Sequence, residues 1–359
     1  MKKRVYGRRQ VLQGAALGLA GLLLAPQAFA EAKKGELTLL TWPDYIDPEV
    51  IAAFEKKQGV TVRLIFFESD QERDQHIVRK GSDAFDVIVV NRAHLPFYAK
   101  QGWLTPIDKG GLKQFAHLDP RWVPEVDPAG KLPGIPYFWG NIGLAYRDDK
   151  VTNKPESWMD FFRPAEALRG RIQAMESDRE LVGMALKALG FSVNSEENVE
   201  LLAAEALLKE QQPHVMSYRY TDLTVEAPLV KGEAWMAMVF NGDALKLSEF
   251  QPAIRYLHPR EGSVLWIDDL VIGGGSKRRD LALAFIDHLS EPGMAARNAE
   301  SLHFATPNRT AMQQVSKAYL NDPIIFPPEE VWGLSETIRP LAPRMQRRVN
   351  DIVSRLFQP

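Results

Sequence analysis

The order of apolar and polar segments along the chain predicts strands that alternate with helices. Residues 36–42 form an apolar run that predicts a strand. Asp47 and Pro48 mark the start of a helix, because Asp caps helix N-termini and Pro suits the first helical position. Gly59 predicts the end of this helix, and the β-branched and aromatic residues of 60–67 predict a second strand.

The following segments repeat this order. Residues 71–80 predict a polar helix, and the continuous apolar run at 85–90 predicts a strand buried on both faces. After the segment 235–240, Asn241 and Gly242 predict a turn. Strands that alternate with helices indicate an α/β fold with parallel, doubly wound sheets. The later elements are strands over 142–146, 235–240 and 265–272 and helices over 181–189, 199–212 and 281–289.

Residues 1–30 have the features of a signal peptide. A basic start precedes an apolar stretch at 15–25, which is too short to span a membrane as a helix, and small residues at 28–30 suit cleavage. The pair Arg8-Arg9, just before an apolar residue pair, resembles the twin-arginine signal that directs cargo to the twin-arginine export machinery. The alternative is a general secretory signal with a chance arginine pair.

Composition and charge narrow the classes of function. The chain has 359 residues, 45% hydrophobic and 25% charged, which is typical of a globular protein with two domains. Without the signal segment, 39 basic residues stand against 46 acidic ones, so the net charge is near −7. A modestly acidic chain without a lysine- and arginine-rich block does not suit nucleic acid. Since the sequence contains no cysteine, we expect neither disulfides nor a lipid anchor, and with the signal this predicts a periplasmic location.

The sequence lacks the motifs of common enzymes and metal sites. It has no His-Glu-x-x-His, no nucleophile elbow and no P-loop, and its seven histidines show no ligand spacing. The glycines at 273–275 predict a strand-to-helix turn. Asp268 and Asp269 could hold a catalytic cation together, but adjacent strand residues point to opposite faces. We therefore expect no enzyme activity, no metal and no cofactor.

Aromatic residues stand beside acids near the ends of predicted strands, where ligands bind in doubly wound sheets. Carboxylates pair with ammonium groups, and aromatic faces attract cations by roughly 0.5–2 kcal/mol per contact. The pattern therefore favours an alkyl diammonium ligand. Each residue alone also has a structural interpretation as a turn, cap or core side chain. The residues concerned are Trp42, Asp44, Tyr45, Glu180, Phe240, Asp243, Trp266 and Asp268.

Five short segments extend this pattern over the chain from about residue 37 to 356. They are Thr-Trp-Pro-Asp-Tyr at 41–45, Phe-Asp-Val-Ile-Val at 85–89, Ile-Pro-Tyr-Phe-Trp at 135–139, Trp-Ile-Asp at 266–268 and Ile-Phe-Pro-Pro at 325–328. In their order and spacing they resemble the spermidine/putrescine-binding receptors of ABC transporters, a family of extracellular solute-binding proteins.

The resemblance implies a two-lobed α/β fold of the periplasmic-binding-protein type II class. Each lobe is expected to be a mainly parallel sheet flanked by helices, with a hinge made of strands. Residues 36–143 and 262–311 are expected in the first lobe, and residues 144–261 and 312–356 in the second. A polyamine is expected to bind between the lobes, which close around it. The receptor, expected to be a monomer, then delivers it to the permease subunits of an ABC importer.

The resemblance also assigns the site residues to the two sides of the cleft. The first lobe is expected to supply the aromatic and acidic residues that follow its first strand, a late Trp-x-Asp pair and a polar residue after its third strand. The second lobe supplies two acids and one aromatic residue. The first set is Trp42, Asp44, Tyr45, Asn91, Trp266 and Asp268, and the second is Glu180, Phe240 and Asp243.

Three departures from the family pattern leave the ligand open. Asn91 replaces a small hydroxyl residue, and the adjacent Arg92 either neutralises a spare acid or binds a ligand carboxylate. Phe240 stands where the family commonly has Trp, and Ser177 stands where some members carry a second acid. The alternatives are an amino-acid-like or other cationic solute, and a partner-binding module without a small ligand.

Overall fold

A computed structural model describes residues 35–357 of the protein, in which strands form one continuous sheet system. The strands are β1 (Glu36–Thr41), β2 (Thr61–Phe66), β3 (Val87–Asn91), β4 (Leu104–Thr105), β5 (Ile135–Arg147), β6 (Ile172–Ala174), β7 (Val215–Tyr218), β8 (Met236–Phe240), β9 (Ile254–Leu257), β10 (Val264–Gly273) and β11 (Glu336–Thr337).

Helices cover the sheets, and the first of them begins and ends at the residues that the sequence predicts. The Asp47 side chain accepts a hydrogen bond from the Glu49 backbone N–H at 2.7 Å, and Gly59 closes the helix in the left-handed conformation. The helices are α1 (Pro48–Gln58), α2 (Asp70–Lys80), α3 (Leu95–Gln101), α4 (Trp158–Phe162), α5 (Asp178–Ala188), α6 (Asn198–Gln211), α7 (Pro228–Lys231), α8 (Asn241–Phe250), α9 (Arg279–Leu289), α10 (Pro292–Leu302), α11 (Lys317–Leu320), α12 (Glu329–Trp332) and α13 (Pro343–Leu356).

The first half of the sheet system is built on three parallel strands. β1 lies between β2 and β3 and is parallel to both, and β10 then pairs antiparallel with β3. Because parallel strands end at the same edge, the segments that follow β1, β2 and β3 converge there. Residues 42–45, 69–70 and 91–94 therefore lie along one edge of this sheet.

The second half is built around β8. It pairs antiparallel with β5 and parallel with β6, which in turn is parallel to β7. β9 also pairs with β5 in antiparallel direction. Helices α5 and α8 begin at the ends of β6 and β8, so their first turns lie at the edge of this second sheet.

β5 connects the two halves. Residues 135–141 pair with β10, whereas residues 142–147 pair with β8 and β9. Gly140 lies at the change of partner, where an added Cβ would overlap atoms of Asn241 and Trp266, so the close approach requires glycine.

The expectation that each sheet is mainly parallel is wrong. The sheets are mixed, because β10 returns to the first sheet in the direction opposite to β3, and β5 is antiparallel to both β10 and β8.

Each half has its own buried apolar side chains, and the largest group in each half is separate from that of the other. The first includes Leu37 and Phe285, and the second includes Leu144 and Trp158. The exact lobe boundaries stay a prediction. Tyr319, which that prediction assigns to the second lobe, packs into the first core together with Val315 and Ile325.

Asn241 and Gly242 do not form the predicted turn, because helix α8 begins there directly after β8. The Asn241 side chain is fully buried, and it donates to the Ile324 carbonyl at 3.1 Å and accepts from the Asn141 backbone N–H at 3.3 Å. Gly242 faces the ring of Phe304 so closely that a side chain would overlap it. Burial and these tertiary contacts therefore override the local turn propensity.

The predicted signal peptide, with its arginine pair, lies outside the residues that the structure describes. Within residues 35–357, none of the helices combines the length and the apolar character that crossing a membrane requires.

Candidate functional site

The segment after β1 brings an aromatic ring and an acid to the edge of the first sheet. Trp42 packs on Phe67 with 4.4 Å between ring centroids and keeps part of its surface exposed. Asp44 is exposed and has φ 49°, a left-handed conformation that Asp tolerates better than most residues. Both residues therefore lie where the sequence places them, next to the exposed edge.

Tyr45 and Asp268 form a buried pair between this segment and β10. The Tyr45 hydroxyl donates to an Asp268 carboxylate oxygen at 2.9 Å, and the two residues are each 6% exposed. Burial raises the pKa of Asp268 to about 7 and holds the pKa of Tyr45 well above its usual value. Asp268 is a carboxyl group that gains from a nearby cation, because the charged form is poorly solvated without one.

Asn91 lies opposite Asp268 in the register between β3 and β10. Its side-chain oxygen accepts a hydrogen bond from the Ala93 backbone N–H at 3.1 Å and so caps the short turn that follows β3. Asn91 therefore has a structural role at the edge of the first sheet, and its amide N–H₂ group remains available as a donor on the same side chain.

Arg92 is held by Asp269. Its guanidinium donates from two nitrogens to the two Asp269 oxygens at 2.9 and 2.6 Å, and the Asp269 side chain is fully buried. This bidentate geometry supports the first of the two interpretations of Arg92, neutralisation of a spare acid. Asp268 contacts Tyr45 and Asp269 contacts Arg92, so the two adjacent acids have different partners.

Asp243 stands in the first turn of α8, on the second half of the molecule. It accepts a hydrogen bond from the Tyr220 hydroxyl, which also accepts from the Phe240 backbone N–H at 3.2 Å. Burial raises the pKa of Asp243 to about 6, although the Tyr220 hydrogen bond opposes this rise. Tyr220 was not predicted, because the segment 219–227 has no regular apolar pattern.

Glu180 occupies the first turn of α5 and accepts a hydrogen bond from the Ser177 hydroxyl. Burial raises the pKa of Glu180, and the negative charge of Asp70 raises it further. Asp70, the first residue of α2, was not predicted as a site residue. It lies four residues after the end of β2, at the same sheet edge as the ends of β1 and β3.

Electrostatic interactions join the acids of the two halves. Asp268 and Asp243, from different halves, both raise the pKa of Tyr45, after the larger effect of burial. Asp70 acts on Glu180 across the halves and on Asp268 within its own. These effects act over short distances, so the acids lie near one another; that Tyr45, Asp268, Asp243 and Glu180 form one ligand site stays a prediction.

Aromatic rings line the same region. Trp266 meets Phe240 edge-to-face with 6.0 Å between centroids, and Phe304 lies 5.5 Å from Trp266 and 5.3 Å from Tyr45. Phe304 was not predicted; it follows α10 without a local motif. The Trp266 indole N–H is buried and has no hydrogen-bond partner within the described part of the chain.

This region thus combines carboxyl groups that favour a cation with apolar ring faces. Among residues 35–357, no group of three or more His, Asp or Glu side chains is arranged to hold a metal ion. Organic cations are the ligand class for which both features are useful: ammonium groups pair with carboxylates, and alkyl segments pack on rings.

A family model described as bacterial extracellular solute-binding protein matches residues 49–327. The chain belongs to this family. This solute-binding protein is 28% identical over 315 residues to the spermidine/putrescine-binding periplasmic protein of Escherichia coli K12. The aligned region covers 88% of this chain and 89% of the relative. It is 30% identical over 302 residues to the norspermidine sensor of Vibrio cholerae, with 84% of this chain and 82% of the sensor covered.

Solved structures agree with the fold. The spermidine/putrescine ABC transporter substrate-binding protein PotD from Streptococcus pneumoniae superposes with a TM-score of 0.79 at 26% identity, over 90% of this chain and 98% of PotD. The predicted two-lobed α/β fold class is therefore confirmed. The family to which the chain belongs is one of extracellular solute-binding proteins.

Proposed function

We propose that this solute-binding protein is a periplasmic receptor that captures a polyamine of the putrescine or spermidine class and delivers it to the permease of an ABC importer. The observation that carries the proposal is the buried Asp268 carboxyl group, whose only described hydrogen-bond donor is the Tyr45 hydroxyl. A carboxyl group in this environment gains a charge partner when an ammonium group enters the cleft.

A polyamine carries a positive charge at each end and therefore needs a second carboxylate, on the side of the site opposite Asp268. Asp243 and Glu180 come from the second half, and Phe240 and Trp266 provide ring faces for the methylenes. In this arrangement Trp42, Asp44, Tyr45 and Asn91 line the first-lobe side. The names of the relatives in Escherichia coli and Vibrio cholerae support the same ligand class.

The route of the receptor belongs to the same proposal. The arginine pair at residues 8–9 favours export by the twin-arginine machinery, and the periplasmic relative in Escherichia coli supports a periplasmic location. The receptor acts as a monomer and makes no covalent change to its ligand.

Titration calorimetry tests the ligand. The protein is unfolded and refolded to remove any ligand that it carries, and it is then titrated with putrescine and spermidine. We expect tight binding, which Asp268→Asn weakens more than tenfold because one partner of a buried charge pair is lost. Glu49→Gln, which removes an equal charge from the exposed first turn of α1, is the matched control.

Absence of heat for both amines with correctly folded protein would contradict the polyamine proposal. Binding of γ-aminobutyrate instead would favour the amino-acid-like alternative. That alternative requires Arg92 to leave Asp269, and the bidentate pair between them does not favour it.

A further inference from the structure

A chain of buried hydrogen bonds holds the backbone of Tyr45, whose hydroxyl group contacts Asp268. The Tyr137 hydroxyl donates to the Tyr45 carbonyl at 2.8 Å, and the Asn298 side-chain N–H₂ donates to the Tyr137 hydroxyl at 2.7 Å. The Asn298 side-chain oxygen accepts from the Asp47 backbone N–H at 2.8 Å. Asn298 therefore fixes two backbone groups of this segment, one directly and one through Tyr137.

The donors and acceptors of this chain have fixed roles. The Asp47 backbone N–H only donates, so the oxygen of the Asn298 amide faces it and the amide N–H₂ faces Tyr137. The Tyr45 carbonyl only accepts, so the Tyr137 hydroxyl gives its proton to that carbonyl. Burial raises the pKa of Tyr137, so the hydroxyl keeps the proton that it donates. Asn298 is 1% exposed, and an unpaired amide is costly at such burial.

The residues of this chain come from segments that are distant in sequence. Tyr45 lies between β1 and α1, outside both elements, whereas Tyr137 belongs to β5 and Asn298 to α10. Backbone groups outside helices and strands need other partners, and here side chains supply them. The Tyr45 ring also packs edge-to-face on Tyr137 and Phe138, with centroids at 5.7 and 5.4 Å. Residues of β5 and α10 therefore set the position of Tyr45.

We propose that Asn298 is a positioning residue of the ligand site, which through Tyr137 holds the Tyr45 hydroxyl on the Asp268 carboxylate. This inference rests on the proposed function, because it concerns how the same carboxylate is prepared for an ammonium group. The Tyr45 hydroxyl donates to Oδ2 of Asp268 at 2.9 Å and stabilises its charged form, which leaves Oδ1 for the ligand. Asn298 is buried and acts only through the residues that it holds.

Removal of the Asn298 amide should loosen the Tyr45 segment while every proposed ligand contact stays in the sequence. The Asp47 backbone N–H and the Tyr137 hydroxyl each lose a partner, which favours a shift of the segment toward new partners. A shift that lengthens the bond between Tyr45 and Asp268 from 2.9 Å to about 3.6 Å breaks it. The carboxylate then loses the donor that stabilises its charge, and it holds an ammonium group less tightly.

A double-mutant cycle measured by calorimetric titration with putrescine tests the proposal. We expect Tyr45→Phe to lower the affinity about tenfold and Asn298→Ala about fivefold, because a hydrogen bond to a charged group is lost or weakened. In the Tyr45→Phe background, Asn298→Ala should lower the affinity less than about twofold, since the hydroxyl through which it acts is already absent. Tyr137→Phe, which keeps the ring packing, should behave like Asn298→Ala in both backgrounds.

Asn308→Ala is the matched control. Asn308 is also 1% exposed, and its amide donates to the Ser290 carbonyl at 2.7 Å and accepts from the Ala311 backbone N–H at 2.9 Å. These hydrogen bonds are separate from the chain that holds Tyr45. We therefore expect Asn308→Ala to lower the unfolding temperature, as Asn298→Ala does, but to leave the affinity for putrescine unchanged.

Thermal unfolding of each variant shows that it is folded before titration, and Tyr137→Phe decides the question alone if Asn298→Ala does not fold. The inference is wrong if these two variants leave the affinity unchanged, or if they lower it by the same factor with and without the Tyr45 hydroxyl. In either case the polyamine function stands, because the wild-type protein binds putrescine. If the wild-type protein binds neither putrescine nor spermidine, the polyamine function fails and this inference fails with it.

Discussion

Lowering the pH from 8 to 6 should weaken polyamine binding, because two carboxyl groups of the cleft must be ionised to receive a cation. Burial raises the pKa of Asp268 to about 7 and that of Asp243 to about 6 in the ligand-free protein. The primary amines of putrescine, with pKa values near 10 like that of lysine, stay protonated throughout this range, so putrescine is the ligand for this measurement. The change therefore acts on the protein alone.

The size of the effect follows from the ionised fractions. At pH 6, Asp268 is ionised in about one molecule in eleven and Asp243 in about one in two, whereas at pH 8 both are ionised in about nine molecules in ten or more. If binding requires both charges, the apparent affinity falls about twentyfold between pH 8 and pH 6. This corresponds to about 1.8 kcal/mol of binding free energy.

Titration calorimetry in buffers of different ionisation enthalpy measures this linkage. Near pH 6.5 we expect about one proton to be released for each ligand bound, because the protonated fractions of the two acids add up to about one. Affinity that is constant from pH 6 to 8, with no proton release, would refute the reasoning. In Asp268→Asn the release should fall to the smaller contribution of Asp243.

Three further predictions concern individual residues. Asp268→Asn should stabilise the ligand-free protein at pH 8. The pKa of Asp268 is about 7 in the folded protein and about 3.9 in the unfolded chain, so the free energy of unfolding falls by up to about 4 kcal/mol as the pH rises through 7. The amide does not ionise and avoids this loss, which thermal unfolding at pH 5 and pH 8 checks. Arg92→Ala leaves Asp269 buried and unpaired, so we expect the free energy of unfolding, measured with a chemical denaturant, to fall by about 3–5 kcal/mol. The double variant Arg92→Ala, Asp269→Asn should recover part of this stability. Tyr220→Phe removes the hydrogen bond that opposes the rise in the pKa of Asp243, so this pKa should rise further. The polyamine affinity measured by calorimetry at pH 7 should then fall severalfold. An unchanged affinity would contradict the role assigned to Asp243.

The parts of the site that sequence reasoning found have local signals. Trp42, Asp44 and Tyr45 directly follow an apolar strand, and Asp268 lies two residues after a tryptophan in another. The helix start at Asp47 is equally local, because cap and first-turn residues are adjacent in sequence. Such signals can be recognised in the sequence alone, because the residues concerned are adjacent in the chain.

The parts that were missed depend on contacts between distant segments. Asp70 has the sequence features of an ordinary helix start, and only the parallel pairing of β1 with β2 and β3 shows that it lies at the same sheet edge as the segments after β1 and β3. Phe304 and Tyr220 contact site residues from segments without periodicity. Pairing of Arg92 with Asp269 requires the register between β3 and β10, in which Asp269 lies opposite Val90.

The mixed character of the sheets was missed for a related reason. An apolar run such as β10 predicts a buried strand but carries no information on its direction. Direction follows from the path of the chain, which leaves the first half through β5 and returns through β10.

A crystal structure of the refolded protein with spermidine would test the ligand site most directly. We predict a closed cleft in which ammonium groups lie within about 3 Å of the carboxylates of Asp268 and of Asp243 or Glu180, with methylenes against Trp266. Spermidine bound elsewhere, or a cleft in which Asp268 keeps Tyr45 as its partner and contacts no amine, would contradict the proposed function.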